Sequence, residues 1–338
     1  MTWMEDSPRP EPALRDDSGM SAVAGDSSWR VRVIRNPRSH RNRRLAPAVA
    51  PDGVEVIAPQ QRGDTAEALR HCRKAGTDCL VIDGGDGTVR DVLSAGMAVF
   101  GEDWPVLGIL PRGKTNALAA DLGIPEAWQV GDVTASAARG QTVVRRPLVL
   151  TREGADEPPV AGFLIGAGSF ASGIEAAQEA HRWGMFGGLA VGATVAWAVA
   201  QIVFGGAHNP WRRGPETAVQ LLPSGERLPH ADGADGARRS LLLATTLRRL
   251  PMGIKPLGAE RDGLKLLVVD RAHRRTYASA PLILAGRLPG WLARLGVHQR
   301  DAQGLRITFT ERFILDGEFL ESGTWRIEQG PRLRCAVP

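Results

Sequence analysis

The sequence has few residues of several kinds, and each scarcity excludes a class of protein. Its three cysteines, Cys72, Cys79 and Cys335, are too few and too scattered for a disulfide framework or a zinc knuckle, so a reducing cytoplasm is the expected compartment. Residues 1–28 lack the apolar core of a signal peptide and are rich in Pro, Asp, Ser and Gly, which predicts a disordered tail. Aromatic residues make up 5% of the chain. None is interleaved with the arginine-rich segment 35–44, which disfavours the stacking that binds single-stranded nucleic acid.

The rest of the composition is ordinary for a globular protein, with an excess of positive charge. The 338 residues are 43% hydrophobic and 23% charged, which suits one large domain or two ordinary ones. The net charge is +5, mostly from arginine, and favours anionic partners such as phosphates or acidic lipid headgroups. Nine tryptophans against one tyrosine are compatible both with contact at a membrane interface and with core packing.

One long uncharged segment extends over residues 183–206. Its length would permit a transmembrane span. However, it is rich in Ala and Gly, contains Thr194 and Gln201, and lies in the middle of the chain. A helix buried in the protein or lying on a bilayer is therefore favoured over a span.

Strand-like and helical patterns alternate in the first part of the chain. Apolar runs predict strands at 31–34, 54–58, 79–83 and 105–110. Helical spacing predicts helices at 65–75, 89–98 and 116–122, the first with Asp64 as its N-cap. This alternation is typical of a doubly wound parallel α/β sheet.

After about residue 141, strand-like patterns predominate. They lie at 143–150, 160–165, 218–222, 241–247, 264–269, 305–310 and 313–315, with helical patterns at 173–204 and 277–295. The predicted organisation is a tail over 1–28, an α/β nucleotide-binding domain over 29–142 and a β-sandwich-like domain with inserted helices over 143–338. A return of the last strand to the first domain is left open.

The strongest local signal for function is a glycine-rich loop between a buried strand and a helix. It consists of Gly84, Gly85, Asp86, Gly87 and Thr88. Glycines there permit positive φ angles and let backbone N–H groups approach phosphate oxygens, and the helix N-terminus favours an anion. A carboxylate beside phosphates indicates a divalent cation or a proton transfer.

A second loop, 111–116, follows the next predicted strand. Gly113 offers backbone donors, Lys114 a cation and Thr115 a hydroxyl, and a helix from Asn116 adds a positive dipole end. Taken alone, this loop is as typical of an ordinary strand-to-helix turn as it is of a phosphate-binding loop. Because the carboxyl ends of neighbouring parallel strands meet at one edge of a sheet, we expect the two loops to share one crevice.

These two loops, in this order, resemble those of the diacylglycerol kinase catalytic family, which includes sphingosine and ceramide kinases. Further segments that match motifs of the family lie at 36–39, 163–168, 256–266 and 316–318. They read Asn-Pro-Arg-Ser, Phe-Leu-Ile-Gly-Ala-Gly, a Pro-x-x-Ala segment leading to Asp-Gly-Leu, and Asp-Gly-Glu. The resemblance covers most of the chain and implies an α/β domain and a β-sandwich domain with ATP in the cleft between them.

The resemblance also implies roles for particular residues. Those implied to bind the nucleotide are Asn36, Ser39, Gly84, Gly85, Gly87, Thr88, Asp91, Gly113, Lys114, Thr115 and Asn116. Asp316 and Glu318 are implied to reach magnesium and the reacting hydroxyl from the second domain. The general base is left open between Asp86 and Glu318. Asp262 is implied to bind a structural Mg²⁺ together with nearby backbone carbonyls.

Four positions depart from the family's pattern. His40 replaces a glycine, Lys114 a threonine or serine, and Asp91 a glutamate, while Pro59 stands where the family has a threonine. A lysine at 114 can still neutralise a phosphate, with the hydroxyl contact passing to Thr115. The departures affect the expected contacts to adenine and ribose more than those to phosphate.

The prediction is an ATP- and Mg²⁺-dependent kinase for the hydroxyl of a membrane lipid, bound peripherally at the cytoplasmic face of the membrane. Diacylglycerol is the first candidate substrate, and ceramide or a sphingoid base is the alternative.

A kinase for a soluble substrate such as NAD is less favoured, because such kinases lack the second loop at this position. A non-catalytic nucleotide or lipid sensor is also less favoured, because Asp86, Asp316 and Glu318 are retained. No nucleic-acid partner is expected, a homodimer is left open, and 183–206 and 288–292 are candidates for lipid contact or for core packing.

Overall fold

A computed structural model of the chain describes residues 29–43, 53–169, 171, 214–233, 238–270 and 274–338. The tail predicted for 1–28, the helix predicted over 173–204 and the uncharged segment 183–206 lie outside these residues. Within the described ranges, no helix combines the length and the apolar character that crossing a membrane requires.

The described chain forms eighteen strands and seven α-helices. The strands, numbered along the chain, are β1 (Val31–Arg35), β2 (Glu55–Ile57), β3 (Cys79–Gly84), β4 (Val106–Pro111), β5 (Thr142–Arg145), β6 (Leu148–Arg152), β7 (Val160–Gly162), β8 (Leu164–Gly168), β9 (Thr217–Leu222), β10 (Glu226–Arg227), β11 (Leu241–Thr245), β12 (Leu264–Val269), β13 (Val297–Ala302), β14 (Gly304–Phe309), β15 (Phe313–Leu315), β16 (Glu318–Leu320), β17 (Gly323–Gln329) and β18 (Leu333–Ala336). The helices are α1 (Arg62–Lys74), α2 (Asp86–Phe100), α3 (Ala117–Leu122), α4 (Val130–Ala138), α5 (Arg274–Ala278), α6 (Ala280–Leu284) and α7 (Trp291–Arg294), and a 3₁₀ turn spans Pro251–Gly253.

The first sheet is mostly parallel, in the order β2-β1-β3-β4-β18-β5, and only the β18–β5 pair is antiparallel. Every residue of β3 and β4 is buried, as expected of parallel strands covered on both faces. The pairing of Gly84 with Pro111 and of Arg35 with Asp83 brings the ends of β1, β3 and β4 to the same edge. The loops that follow these three strands are therefore neighbours.

Two antiparallel sheets form the second half of the chain. Their orders are β10-β9-β14-β17-β6-β7 and β13-β12-β11-β8-β15-β16. Alternate residues of both sheets share one buried core, for example Ile307 from one sheet and Leu266 from the other. Phe313 stacks on Phe309 with 4.0 Å between ring centroids. The prediction of a mixed α/β fold with a parallel sheet and a sheet-rich second half is confirmed, whereas the domain bounds 29–142 and 143–338 stay predictions.

Two predicted strands each divide into two. The segment 143–150 becomes β5 in the first sheet and β6 in the second, because Pro147 interrupts the run and has no N–H for a ladder bond. The segment 160–165 divides at Phe163 into β7 and β8, which also lie in different sheets. The chain thus changes sheet where an apolar run looks continuous in the sequence.

The predicted helix boundaries need two corrections. Asp64 is not the N-cap of α1 but its third residue, where its carboxylate accepts a hydrogen bond from the N-cap residue Gln61, 3.0 Å from N to O. The helix predicted over 277–295 is three short helices, α5, α6 and α7. Pro289 and Gly286, whose φ is +78°, separate the last two because neither suits a helix interior.

Candidate active site

A cavity of about 550 Å³ lies at the carboxyl ends of β1, β3 and β4. It is lined by most of the residues that the sequence singled out. These are Asn36, Ser39, Gly85, Asp86, Gly87, Thr88, Asp91, Gly113, Lys114, Thr115, Asp316 and Glu318. Three loops of the parallel sheet and the turn between β15 and β16 therefore meet around one space.

Close packing requires three of the four glycines in the two loops. A Cβ atom on Gly85 would lie 2.7 Å from the Cα of Gly113, and one on Gly113 would lie 2.8 Å from the Cα of Gly85. A Cβ on Gly84 would collide with the side chain of Thr88. The expected positive φ angles are not found at Gly84, Gly85, Gly87 or Gly113. Glycine serves here because two backbones touch.

Asn116 has the left-handed conformation expected of a glycine, with φ +51°. Its Oδ1 accepts a hydrogen bond from Gly113 N at 2.7 Å, and its Nδ2 donates to Gly113 O at 3.1 Å. With both polar atoms engaged inside the loop, Asn116 shapes the loop and does not line the cavity, contrary to the prediction. Gly84 also lies behind the cavity wall.

Asp86 is the first residue of α2, and its side chain reaches the start of α3. Its Oδ1 accepts a hydrogen bond from Ala117 N at 2.6 Å. Burial raises the pKa of Asp86 above its ordinary value, although backbone amides at the start of α3 oppose this rise. The positive end of α3 is therefore directed at this carboxylate, not at a phosphate as the sequence suggested.

Asp316 approaches the same space from the second half of the chain. Its carboxylate accepts hydrogen bonds from Phe163 N and Leu164 N, both at 2.9 Å. A Cβ on Gly162 would lie 2.5 Å from Asp316 Oδ2, so a larger residue at 162 would displace the carboxylate. Burial raises the pKa of Asp316 to about 7, and the negative charge of Asp86 adds to this rise. The two carboxylates are thus electrostatically coupled across the cavity.

Arg90 is a buried member of the site that sequence reasoning missed. It lies one turn after Asp86 in α2 and is 4% exposed. Its Nη2 donates to Asp91 Oδ1 at 2.9 Å, and its Nη1 lies 3.8 Å from Glu318 Oε2. The positive charge lowers the pKa of Asp316, against the larger effects of burial and Asp86. The available signal was an arginine four residues after Asp86 in an otherwise apolar helical run.

The Asn-Pro-Arg-Ser segment forms the wall opposite the glycine loop. Asn36 Nδ2 donates to Thr88 Oγ1 at 2.9 Å and thereby ties the two loops together. Ser39 is only 9% exposed, yet its Oγ has no hydrogen-bond partner. Buried hydroxyls are normally satisfied. The Ser39 hydroxyl is therefore free to bond to a ligand in the cavity.

Asp83 is a buried carboxylate that connects the loops of the site, and sequence reasoning did not identify it either. It is buried at the end of β3, with Arg35 Nε 3.5 Å and Arg112 Nε 3.3 Å from its carboxylate. Asn42 Nδ2 donates to Asp83 Oδ1 at 3.1 Å. The sequence showed Asp83 only as the last residue of an apolar strand, so its partners at the end of β1 and in the loops after β1 and β4 could not be foreseen.

The acidic residues of the cavity fit a magnesium ion that arrives with a nucleotide. Mg²⁺ is usually held by one or two carboxylates together with waters and substrate phosphates. Asp86 and Asp316 are oxygen ligands of this kind. Burial raises the pKa of both, the negative charge of Asp86 raises that of Asp316 further, and a bound cation would favour the charged form of each carboxylate. In the described ranges, no cluster of three or more His, Cys, Asp or Glu side chains could hold a metal unaided.

The residues around Asp262 do not fit the structural magnesium site that the resemblance implied. The Asp262 side chain is 76% exposed, and its nearest described charge is Arg248 Nε, 3.8 Å away. The carbonyls of Arg261 and Gly263 accept hydrogen bonds from Lys265 Nζ at 2.9 and 3.0 Å. An ammonium group of the chain thus occupies the carbonyls that a cation would need.

The arrangement as a whole defines a class of protein, an α/β fold with a phosphate-type glycine loop facing acidic residues of a sheet-rich half. Residues 30–145 match the family model of the diacylglycerol kinase catalytic domain. The resemblance seen in the motifs is thus confirmed by a match of this part of the chain to the family model.

Individual relatives agree with this assignment over a limited length. The probable lipid kinase YegS of Shigella flexneri is 40% identical over 74 residues, 22% of this chain and 25% of that protein. Its counterpart in Escherichia coli O9:H4 (strain HS) gives the same values. The match therefore spans a quarter of the length of these curated relatives.

Solved structures extend the likeness of fold to nearly the whole chain. A diacylglycerol kinase from Bacillus anthracis str. Sterne covers 92% of this chain and 97% of its own, with a TM-score of 0.58 and 14% identity. A putative diacylglycerol kinase from the same strain has a TM-score of 0.60 and 16% identity over the same shares. At these identities the comparison concerns the fold alone.

Proposed function

We propose that the protein is an ATP-dependent lipid kinase that transfers the γ-phosphate of ATP to a hydroxyl of a membrane lipid. The observation that carries the proposal is the meeting of Asp86 and Asp316, from opposite halves of the chain, in one cavity with two abutting glycine loops. Phosphoryl transfer depends mainly on positioning and charge neutralisation, which such a cavity provides. Diacylglycerol is the first candidate substrate, and ceramide or a sphingoid base is the alternative.

In this proposal the triphosphate lies on the glycine loop. The amides of Thr88 and Val89 already donate hydrogen bonds to Gly85 O at 2.9 and 3.0 Å and are not available to a ligand. The phosphates therefore bond to the part of the loop that precedes Thr88. The unpaired Ser39 hydroxyl and the exposed Lys114 ammonium supply a donor and a positive charge. Asn36, Thr115 and Asp91 complete the nucleotide-binding residues, while Gly84 and Asn116 act by shaping the loops.

The acidic residues hold the metal and accept the proton of the lipid hydroxyl. Magnesium, when bound, would neutralise phosphate charge, and Asp316 would hold it with the help of Asp86. Both Asp86, buried and raised in pKa, and Glu318, half-exposed beside Arg90, remain candidates for the base. Arg90 holds the Asp91 and Glu318 carboxylates in place from beneath and is a positioning residue.

The experiment that tests the proposal is a panel of lipids with γ-labelled ATP and Mg²⁺, run on the wild type and on Asp86→Asn. We expect label in one lipid class and a loss of about 10²–10⁴-fold in the variant, with its thermal unfolding little changed. Asp78→Asn is the matched control, because Asp78 is an exposed partner of Arg30 remote from the cavity, and it should keep full activity.

Glu318→Gln in the same assay separates the two candidate bases. The amide that replaces the true base cannot accept the proton, so that variant should show the lower residual transfer of the two. Label in NAD with none in any lipid would favour the soluble-substrate alternative. Binding of ATP without turnover on any substrate would favour the sensor. Full transfer by Asp86→Asn would remove that residue from the mechanism.

A further inference from the structure

The segment from 271 to 300 has a one-sided charge. Every residue that carries a full charge at neutral pH between Asp270 and Asp301 is an arginine. These arginines stand at 271, 274, 275, 287, 294 and 300. No acidic residue interrupts this segment, although the whole chain has 37 acidic and 42 basic residues.

The same segment carries the main exposed apolar side chains of the described chain. Five large hydrophobic residues are exposed in the described ranges, and three lie here: Leu282 at 38%, Leu284 at 45% and Trp291 at 44%. Ile283 and Leu292, their neighbours, are buried against β11, β12 and β13. The helices α6 and α7 are therefore fixed to the third sheet by one face and present the other outward.

Three arginines without acidic partners among the described residues lie in the same segment as these exposed apolar residues. Arg275, Arg287 and Arg294 are exposed, and in the part of the chain that the structure describes their guanidinium groups make no ion pair. Some exposed arginines elsewhere are paired, for example Arg306 with Glu153 at 2.7 Å and Arg249 with Glu260 at 2.8 Å. We call the exposed face of 275–294 the basic apolar surface.

We infer that the basic apolar surface docks the protein on an anionic phospholipid bilayer. Apolar side chains with a tryptophan enter the headgroup boundary, while arginines contact lipid phosphates, as in interfacial helices. The inference names the surface by which the proposed kinase reaches its substrate, so it deepens the proposed function. Lipid binding through this surface requires no phosphoryl transfer and can be measured separately.

Charge argues against a second copy of the chain as the occupant. A two-fold interface would place this surface against itself, and arginines would then face arginines with no acidic residue between Asp270 and Asp301 to separate them. Like charges in an interface are unfavourable. A sheet of lipid phosphates provides the complementary charge over the whole surface.

The test is co-sedimentation of the full chain, without ATP, with vesicles of equimolar phosphatidylcholine and phosphatidylglycerol. Vesicles of phosphatidylcholine alone are the comparison. Arg287→Gln with Arg294→Gln should weaken binding to the anionic vesicles about 25-fold, since each arginine near an anionic surface contributes about fivefold. Trp291→Ser with Leu284→Ser should weaken it by a similar or larger factor, and high salt should weaken the wild type.

The matched control is Val144→Ser with Arg332→Gln, which removes one exposed apolar and one exposed basic side chain outside this surface and should bind like the wild type. All variants should phosphorylate lipid in detergent micelles, where docking is not required. On vesicles, only the two pairs of surface variants should lose transfer, and the control should keep it. If the protein bound vesicles but phosphorylated lipid neither in micelles nor in vesicles, the proposed kinase activity would be refuted and the inferred docking surface would stand.

Three results would overturn the inference. The first is a wild type that does not bind anionic vesicles better than neutral ones. The second is equal vesicle binding by the wild type and by both pairs of surface variants. The third is a change from dimer to monomer in sedimentation velocity for Trp291→Ser with Leu284→Ser while vesicle binding is kept, which would assign the surface to self-association.

Discussion

Asp316 shows how the fold holds a single residue in a backbone conformation and an environment that are both unfavourable for it. Its φ of +49° is uncommon for a residue other than glycine, and its carboxylate is buried. Two backbone amides, of Phe163 and Leu164, bond to the carboxylate and compensate for both costs. A residue fixed in this way cannot turn away from the cavity, which suits a metal ligand that must be in place before the substrates bind.

Lys265 shows a different use of one side chain, as an internal cation. It is 2% exposed and bonds to the carbonyls of Arg261 and Gly263. Lys265→Met should lower the free energy of unfolding by about 1–2 kcal/mol, because it leaves these partly exposed carbonyls unpaired. Lys255→Met, at a half-exposed lysine, is the control and should change stability little. EDTA should not shift the unfolding midpoint of the wild type, and a shift would contradict the role given to Lys265.

The same lysine gives the stability a pH dependence of defined sign. Burial, with the charge of Arg261, lowers the pKa of Lys265 from 10.5 to about 8. Between these values the unfolded chain binds a proton that the folded chain does not, so unfolding takes up a proton and stability rises with pH. The difference in unfolding free energy between the wild type and Lys265→Met should therefore grow from pH 8 towards pH 10.

At the scale of elements, the site depends on two loops that touch. Gly113→Ala would place a Cβ 2.8 Å from both the Cα of Gly85 and Asn116 Oδ1, so the loops must separate. We expect ATP affinity to fall by at least tenfold, about 1.4 kcal/mol or more, measured by titration calorimetry. Gly131→Ala in α4, where a Cβ would meet nothing within 4 Å, should bind ATP normally. Equal ATP affinity in the two variants would show that the contact between the loops is not needed.

Sequence patterns predicted the first four strands of the first sheet because each signal there is local. The run that forms β3 is continuously apolar, and the glycine loop follows it directly, so strand, turn and helix are all written within about ten residues. Arg90 and Asp83 escaped prediction because their partners lie on other elements. Lys265 escaped because an ammonium on backbone carbonyls leaves no motif.

The second half was harder to predict for reasons that also lie in its elements. The strands β13 and β17 were missed because neither contains a continuous apolar run: in β17 the exposed Arg326 and Glu328 alternate with buried residues. The helix α4 was missed because Ala and Gly outnumber its large apolar residues. Burial in such elements comes from neighbours distant in sequence, which a single sequence does not display.

At the scale of the whole molecule, the first sheet depends on the last strand of the described chain. β18 lies between β4 and β5, and Leu333 and Cys335 are fully buried there. Leu333→Ala should lower the free energy of unfolding by about 2–5 kcal/mol, measured by urea denaturation. Arg334→Ala, at the exposed residue between them, should change it by about 0.5 kcal/mol or less. Equal effects would mean that β18 is not part of the cooperative core.

The position of β18 has a consequence for biosynthesis. The ribosome makes β4 and β5 early, but the strand that joins them emerges only after residues 148–330, which build the two antiparallel sheets. Until then the nascent chain exposes two unpaired strand edges, a state that invites aggregation and chaperone binding. A message truncated before residue 333 would therefore yield no intact site, since the sheet that carries both glycine loops would still lack an inner strand.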